Sequence, residues 1–176
     1  MKKLILITML VFTNIALAES ASASKIVVVD IQQVLEESTA AKDVKDQIKI
    51  KRDKYQLEIT AEEDNLRKAE KKLSEQRSVL SQAAFDQKTE EFKEKLIIVQ
   101  RDVQEKRANL DALLTNSLGK IQKVVFEIIE DISKDQEFDI AIPTSQILYA
   151  SDKLNITTEV LKRLNKEMPS IKISDK

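Results

Sequence analysis

The side chains with the clearest chemical potential in this sequence are three closely spaced carboxylates, Asp30, Glu36 and Glu37. A pair of carboxylates can serve as general acid and base, or as acid and nucleophile, as in glycoside hydrolysis. Such clusters more often cap helices or face solvent, and Asp30 directly precedes a helix-like segment that it could cap. We therefore expect no enzymatic activity from these residues.

The composition excludes most other catalytic centres. The chain has no cysteine and no histidine, which removes thiolate nucleophiles, disulfides, imidazole bases and the usual zinc ligand sets. The single glycine, Gly119, cannot supply the glycine-rich loops that bind nucleotide phosphates. We expect no cofactor and no metal.

The first 18 residues have the pattern of a cleavable signal peptide. Lys2 and Lys3 precede a mostly apolar run from Leu4 to Ala16, and Ala16-Leu17-Ala18 is a small-x-small cleavage site. The run is shorter than the roughly 20 residues of a membrane-spanning helix, which disfavours the alternative of an uncleaved anchor. No cysteine follows the cleavage site. We expect an exported, soluble periplasmic chain that begins at Glu19.

Acidic and basic residues are nearly balanced along the chain. The full sequence has a net charge of −1, and loss of the two leader lysines makes it −3. The charges alternate and form no continuous basic stripe, so we expect no binding of nucleic acid. A charged fraction of 34% with only 4% aromatic residues favours long helices over a compact mixed core.

Residues 19–38 form the first part of a small predicted body. Residues 19–24 are small and polar and predict a flexible lead-in. The β-branched run at 26–30 predicts a buried strand, and the segment from Ile31 to Leu35 predicts a short helix. This part therefore contributes one strand and one helix.

Residues 39–134 predict a long helical hairpin. The segment contains no proline and one glycine, and apolar residues recur at the steps of three, four or seven that are typical of a coiled coil. The first seam comprises Ala41, Val44, Ile48, Tyr55, Ile59, Leu66, Ala69, Leu73 and Leu80. The second comprises Phe85, Phe92, Leu96, Val99, Val103, Leu110, Leu113, Ile121, Val124, Ile128 and Ile132.

The seams predict two antiparallel arms that meet at a turn near residues 78–84, where Ser81 can cap a new helix. Arms of about 42 residues would each be roughly 60 Å long. One continuous helix in an intermolecular coiled coil remains an alternative. Polar residues interrupt the seams at Arg52, Glu62, Gln76, Thr89 and Lys106. The arms should therefore be flexible.

Residues 135–176 predict the rest of the body. Apolar residues alternate with small or polar ones at 138–142, and 146–150 is a second mostly apolar run. These segments indicate two strands, joined as a hairpin by Pro143-Thr144-Ser145. A closing helix capped by Thr157 runs to about Met168, where Pro169 stops it. The predicted class is thus α+β and mainly α. So few apolar strands leave pairing edges, which favours an oligomer, with a marginal monomer as the alternative.

The order of these parts resembles the Skp/OmpH family of periplasmic chaperones across the whole mature chain. The resemblance rests on residues 26–30 followed by Val34-Leu35, on 138–142, and on Leu148-Tyr149-Ala150 followed by Asn155-Ile156-Thr157 and Val160-Leu161-Lys162. It implies a homotrimer in which the β segments build a central body. Three helical hairpins would surround a cavity that holds unfolded outer-membrane proteins without ATP.

Two groups of residues are the candidate contacts of such a protein. We expect the body strands to form the subunit interface through Ile26, Val28, Ile140, Ile142 and Leu148. A basic cluster near the arm tip is a candidate contact for clients or for membrane lipid, and comprises Arg67, Lys68, Lys71, Lys72 and Arg77. Glu70 and Glu75 lie among these cations, and the chain is slightly acidic, unlike strongly basic family members. A lipid site is therefore not transferred from the family.

A structural coiled-coil scaffold or spacer of the cell envelope is the alternative function. It would share the leader, the seams and the mixed charges. The predicted β body discriminates between the two, because a spacer does not need short terminal strands that close an oligomer.

Overall fold

The computed structural model describes residues 24–174. Its strands and helices are β1 (Ile26–Val29), α1 (Ile31–Glu37), α2 (Thr39–Gln76), α3 (Gln82–Gln136), β2 (Ile140–Pro143) and α4 (Thr157–Glu167). Short 3-10 turns lie at Thr144–Gln146 and Asp152–Leu154. The mainly helical α+β class is confirmed. The predicted signal peptide lies outside the described residues.

The two long helices form an antiparallel hairpin. Helix α2 ends at Gln76 and α3 begins at Gln82, so the turn overlaps the range 78–84 expected from the seams. The hydroxyl of Ser81 accepts a hydrogen bond from the Ala84 N–H at 3.4 Å, which satisfies one of the free N–H groups at the start of α3. A capping serine thus starts the second arm without glycine or proline.

The arms are unequal, in contrast to the expected arms of about 42 residues each. Helix α2 has 38 residues and α3 has 55, which correspond to lengths of about 57 and 82 Å. The last turns of α3 continue into the body, where Val125, Ile128 and Ile132 are buried. The same apolar period serves the arm seam and then the body core, so the sequence pattern does not mark where the arm ends.

Strand β1 pairs in parallel with β2, with Ile26 opposite Ile140 and Val28 opposite Ile142. Parallel strands need a long crossover connection, and here the whole helical hairpin is that connection. The Lys25 N–H donates to an Asp139 carboxylate oxygen at 2.9 Å, and the Asp139 N–H donates to the Lys25 carbonyl at 2.9 Å. These bonds join the two strand starts.

The predicted strand hairpin of 138–142 with 146–150 is wrong. Residues 144–146 form a 3-10 turn, and the second edge of β1 is met by a different segment, because Val28 forms a single bridge with Asn155 and accepts from the Ile156 N–H at 2.9 Å. Ile147 is extended, with φ −126° and ψ 148°. Gln146 lies in the 3-10 turn and the chain bends at Leu148, so the alternating pattern at 146–150 does not correspond to a strand in the described residues.

The hydrophobic core lies in the body and at the roots of the arms. Val27 and Val29 point into it from β1, and it continues through Val34, Ala40, Ala41, Val44, Ile48, Leu113, Ile121, Val125, Ile128, Ile132, Phe138, Ile156, Val160 and Leu164. Seam residues beyond Ile48 on α2 are only half-buried. Packing is therefore dense at the root and thin towards the tip.

A polar contact joins the two ends of the body. Asp30 caps α1 by accepting from the Gln33 N–H at 2.8 Å, as its position suggested. Thr157 does not cap α4, because its hydroxyl accepts from the Asp30 N–H at 2.8 Å, and Asn155 accepts from the Thr157 N–H instead.

Within residues 24–174, no helix has the length and hydropathy to cross a membrane.

Candidate interaction surfaces

The sheet presents one apolar face away from the core. Side chains along a strand point alternately to its two faces. Val27 and Val29 point towards the core, so Ile26 and Val28 point to the opposite face. This outer face consists of Ile26, Val28, Ile140 and Ile142. Ile26 is 40% exposed and Ile140 is 46% exposed, Ile142 is half-buried, and Val28 is buried within the chain. The two exposed isoleucines are paired in register, which makes their surface continuous.

An irregular segment that follows the 3-10 turn at Thr144–Gln146 carries the most exposed apolar side chains of the body. Leu148 and Tyr149 are 107% and 87% exposed, respectively, and in the described part of the chain no hydrogen bond engages the main chain of residues 148–150. Leu154 is also exposed. Tyr149 and Leu154 were not among the predicted interface residues, although Tyr149 directly follows Leu148. A segment with free main-chain groups and exposed apolar side chains is a candidate contact for another chain.

The three carboxylates with catalytic potential have structural positions. Asp30 is the α1 cap, whereas Glu36 and Glu37 accept from the side-chain amides of Gln32 and Gln33 one turn earlier, both at 3.1 Å. They do not converge on a shared pocket. Among residues 24–174, no group of three or more acidic side chains is arranged to hold a metal ion.

A polar cluster interrupts the arm seam at Lys106. The ammonium lies 2.6 Å from an Asp102 oxygen on the same helix and 3.4 Å from Glu58 on the facing helix. It also lies 5.4 Å from the centre of the Tyr55 ring, at a cation–π distance. The Tyr55 hydroxyl donates to the Asn109 side chain at 3.1 Å. This cluster crosses the seam at two levels and fixes which turn of α2 faces which turn of α3.

The charge of Lys106 is stabilised in this cluster. Its hydrogen bond to Asp102 is the main cause that raises the pKa of the ammonium above its usual value. Partial burial acts in the opposite direction, and Glu58 adds to the rise. Lys106 is therefore a satisfied cation at a seam position rather than a packing defect.

The arms expose large apolar side chains outside the seam. Ile50 and Leu57 on α2 are 70% and 74% exposed, and Ile97 and Ile98 on α3 are also exposed. Each α2 residue lies two positions after a seam residue, and this offset could have predicted its outward direction. Between the arms, Leu66, Leu96, Val99 and other residues line an open cavity of ≈ 690 Å³. Apolar surface is thus distributed along the arm and is not gathered into one pocket.

The basic cluster near the tip lies on the surface of α2 and just beyond its end. Arg67, Lys68, Lys71, Lys72 and Arg77 are all exposed. Arg67 pairs with Asp64 at 3.5 Å and Lys71 with Glu75 at 4.0 Å. The structure therefore brings the five cations to one region but intersperses them with carboxylates, and the tip has a mixed charge.

Known proteins resemble this chain in sequence and in fold. The family model for outer membrane protein (OmpH-like) matches residues 25–164. A solved structure from Caulobacter crescentus CB15, described as that of a candidate outer membrane chaperone of the OmpH-like type, superposes with a TM-score of 0.80. It is 17% identical and the match covers 87% of this chain and 90% of that chain. No curated protein sequence matches.

The match to the family model covers most of the chain. It begins at the residue before β1 and ends within α4, so it includes the sheet, both arms and the Asp30–Thr157 contact. The chain belongs to the OmpH-like outer membrane protein family.

Proposed function

We propose that this chain is an ATP-independent holdase chaperone that binds unfolded outer-membrane proteins and prevents their aggregation. The observation that carries the proposal is the distribution of apolar side chains along arms that have no deep pocket. A holdase needs contact area and release, since it acts by binding the unfolded state and not the folded one. Membership in the OmpH-like family supports this function.

The clients would be recognised through many weak contacts. A strand of an outer-membrane barrel has apolar residues on its lipid-facing side, and it aggregates in water before it is inserted. Exposed residues such as Ile50, Leu57 and Ile97 offer apolar contacts, and the mixed charges between them keep the arm soluble. Several weak contacts act together through effective concentration and tolerate varied client sequences.

The proposed working unit is a homotrimer assembled through the body. The outer face and the unpaired segment 148–150 are the surfaces that would meet a second copy, with Ile26, Ile140, Ile142 and Leu148 as contacts. Val28, which is covered within its own chain, would support this surface from below. Three hairpins held at their roots would enclose a cavity. The predicted export signal at residues 1–18 would direct the chain to the periplasm, where it would act.

Aggregation of a urea-denatured outer-membrane porin tests the function. Dilution of the porin without ATP should scatter light strongly on its own and weakly with an equimolar amount of trimer. The double substitution Ile50→Gln and Leu57→Gln should reduce the suppression several-fold, because it removes two exposed apolar contacts without touching the core. Asp53→Asn, an exposed change on the same helix between them, is the matched control.

The same assay distinguishes the chaperone from a structural spacer. A spacer would leave porin scattering unchanged at every ratio of chain to porin. Full scattering with a natively folded trimer would therefore reject the holdase and favour the scaffold.

A further inference from the structure

The last residues of the described chain, 168–174, form a tail that returns from α4 to the root of the arms. The tail lies beyond the span that the family model matches, which ends at residue 164. Ile171 and Ile173 pack against the hydrophobic core, whereas Lys172 and Ser174 are exposed. Side chains that alternate between two faces are typical of an extended strand.

Two side chains of α2 bind the main chain of this tail. The Ile171 N–H donates to Asp43 at 3.2 Å, the Gln47 amide donates to the Ile171 carbonyl at 2.8 Å, and the Ile173 N–H donates to Gln47 at 3.2 Å. In a strand, the N–H and carbonyl of one residue and the N–H two residues later all point to the same edge. Asp43 and Gln47 therefore substitute for a neighbouring strand.

The two binding side chains also contact each other. Asp43 and Gln47 lie one helical turn apart, and the Gln47 amide also donates to the Asp43 carboxylate at 2.8 Å. This bond orients the amide and fixes which of its atoms donates and which accepts. The pair contacts main-chain groups only, so any selectivity for side chains comes from the core surface that Ile171 and Ile173 cover.

The surface beside Asp43 and Gln47 in which the tail lies, here called the root groove, continues beyond Ser174. Ser174 lines an open cavity of ≈ 460 Å³ together with Ser117, Gly119 and Lys120 of α3. A Cβ atom added at Gly119 would meet nothing within 4 Å. Open space therefore lies beside α3 at the end of the described tail.

We propose that this root groove is a binding site for an extended peptide with apolar residues at alternate positions, and that the chain's own tail occupies it in the free protein. The tail is seen in the site and defines its ligand: one free main-chain edge and two apolar side chains on one face. The strands of an outer-membrane barrel have this pattern. The identification of clients as displacing ligands rests on the proposed function, whereas the peptide site itself does not.

The tail would act as an intramolecular competitor. A tethered ligand is present at an effective concentration in the millimolar range, so it weakens the binding of a free peptide without closing the site. The apparent affinity of the free peptide equals its intrinsic affinity multiplied by the fraction of molecules in which the groove is empty. A client segment could then enter when the arms already hold the rest of the client nearby.

The experiment measures binding of a fluorescent peptide with the sequence of residues 169–176 by anisotropy. The receptors are the intact chain, a full-length variant with Ile171→Asp and Ile173→Asp, and a chain that ends at Met168. The peptide should bind both open variants saturably and bind the intact chain about tenfold more weakly or worse. A peptide with both isoleucines replaced by aspartate should not bind.

A second arm of the experiment identifies the ligand class. An unlabelled peptide with the strict alternation of a barrel strand should displace the tail peptide from the open variants, and a peptide of the same composition with its apolar residues in one block should not. Absence of saturable binding to both open variants, with native circular dichroism, would falsify the site. Binding of the tail peptide without displacement by the alternating peptide would refute its role for clients.

These outcomes are separate from those of the porin assay. If the peptides behave as expected but the intact chain fails to suppress porin aggregation, the groove stands and the holdase function fails. Suppression of aggregation without peptide binding gives the reverse result.

Discussion

At the residue scale, single side chains connect parts of the chain that are far apart in sequence. The Asp30–Thr157 hydrogen bond joins the first helix to the last, and Arg163 of α4 reaches Asp135 of α3 at 2.8 Å. The hydrogen bonds of Arg163 with Glu159 and then Asp135 raise its pKa above the usual value. Capping by Asp30 and Ser81 was predictable, because it depends on local sequence. The partner of Thr157 was not, since it lies 127 positions away.

Replacement of Thr157 by valine tests the bond between the chain ends. Thr157 is buried, and valine keeps its shape but cannot accept from the Asp30 N–H. Asp30 is half-buried, and an N–H that loses its partner when fully buried costs about 1–3 kcal/mol, so Thr157→Val should lower the free energy of unfolding by about 1 kcal/mol in urea. Thr158→Val, an exposed change at the next position, should cost no more than about 0.5 kcal/mol. Equal effects of the two variants would show that the bond does not contribute.

Replacement of Glu137 tests the end of α3. Glu137 has a left-handed backbone with φ 56° and ψ 48°, a conformation that glycine adopts without the steric cost that other residues carry. Glu137→Gly should therefore raise the free energy of unfolding by about 0.5–1 kcal/mol. Gln122→Gly, in the helical interior of α3, should lower it by about 1 kcal/mol. A loss of stability in both variants would mean that the left-handed cap is not strained.

At the element scale, the spacing of apolar residues and the helix-capping residues predicted most helices. They did not predict which segments pair with each other. The start of α2 follows from Ser38, whose hydroxyl accepts from the Ala41 N–H at 3.3 Å, the start of α3 follows from Ser81, and the end of α4 follows from Pro169. All three act locally. The error at 146–150 has a different origin, because alternation of apolar residues does not reveal that Gln146 belongs to a 3-10 turn and that the chain bends at Leu148. The docking of the tail was not predictable either. Asp43 and Gln47 are ordinary helix-surface residues until the tail lies beside them.

The Lys106 cluster gives the arm a defined dependence on pH. The folded-state pKa of Lys106 is raised, so its stabilising contribution is complete below the unfolded value of about 10.4 and is lost as pH rises through the folded value. The stability difference between the chain and Lys106→Gln should be about 0.5–1 kcal/mol up to pH 9 and shrink at higher pH. Urea unfolding at a series of pH values measures it.

An exposed ion pair on the same helix provides the control for this pH series. Lys123→Gln removes a pair with Glu127 at 3.9 Å and should change stability by no more than a few tenths of a kcal/mol. A Lys106→Gln difference that disappears between pH 7 and pH 9 would contradict the assigned role of Asp102 and Glu58.

At the scale of the whole molecule, a dense root carries a thinly packed hairpin and exposes an apolar sheet face. The sequence predicted this division, since seam interruptions such as Arg52 and Lys106 lie along the arms and the strands lie at the two ends of the chain. It did not predict the parallel pairing that brings Ile26 beside Ile140. That register creates the continuous outer face on which the proposed assembly depends.

A charge on the outer face should break the assembly. Ile140→Asp places a carboxylate in the proposed interface, and light scattering coupled to size exclusion should change from the mass of three chains to that of one. Leu57→Asp makes the same chemical change on the exposed arm surface and should leave three chains together. If Ile140→Asp remains trimeric with native circular dichroism, the interface lies elsewhere.

The mass of the complex with a client tests the central claim, that a trimer holds an unfolded outer-membrane protein between its arms. Urea-denatured porin is diluted into the chain without ATP, and the soluble fraction is measured by light scattering coupled to size exclusion. We predict one soluble species with the mass of three chains and one porin. Precipitated porin beside a chain that elutes alone, whatever its own mass, would contradict the account.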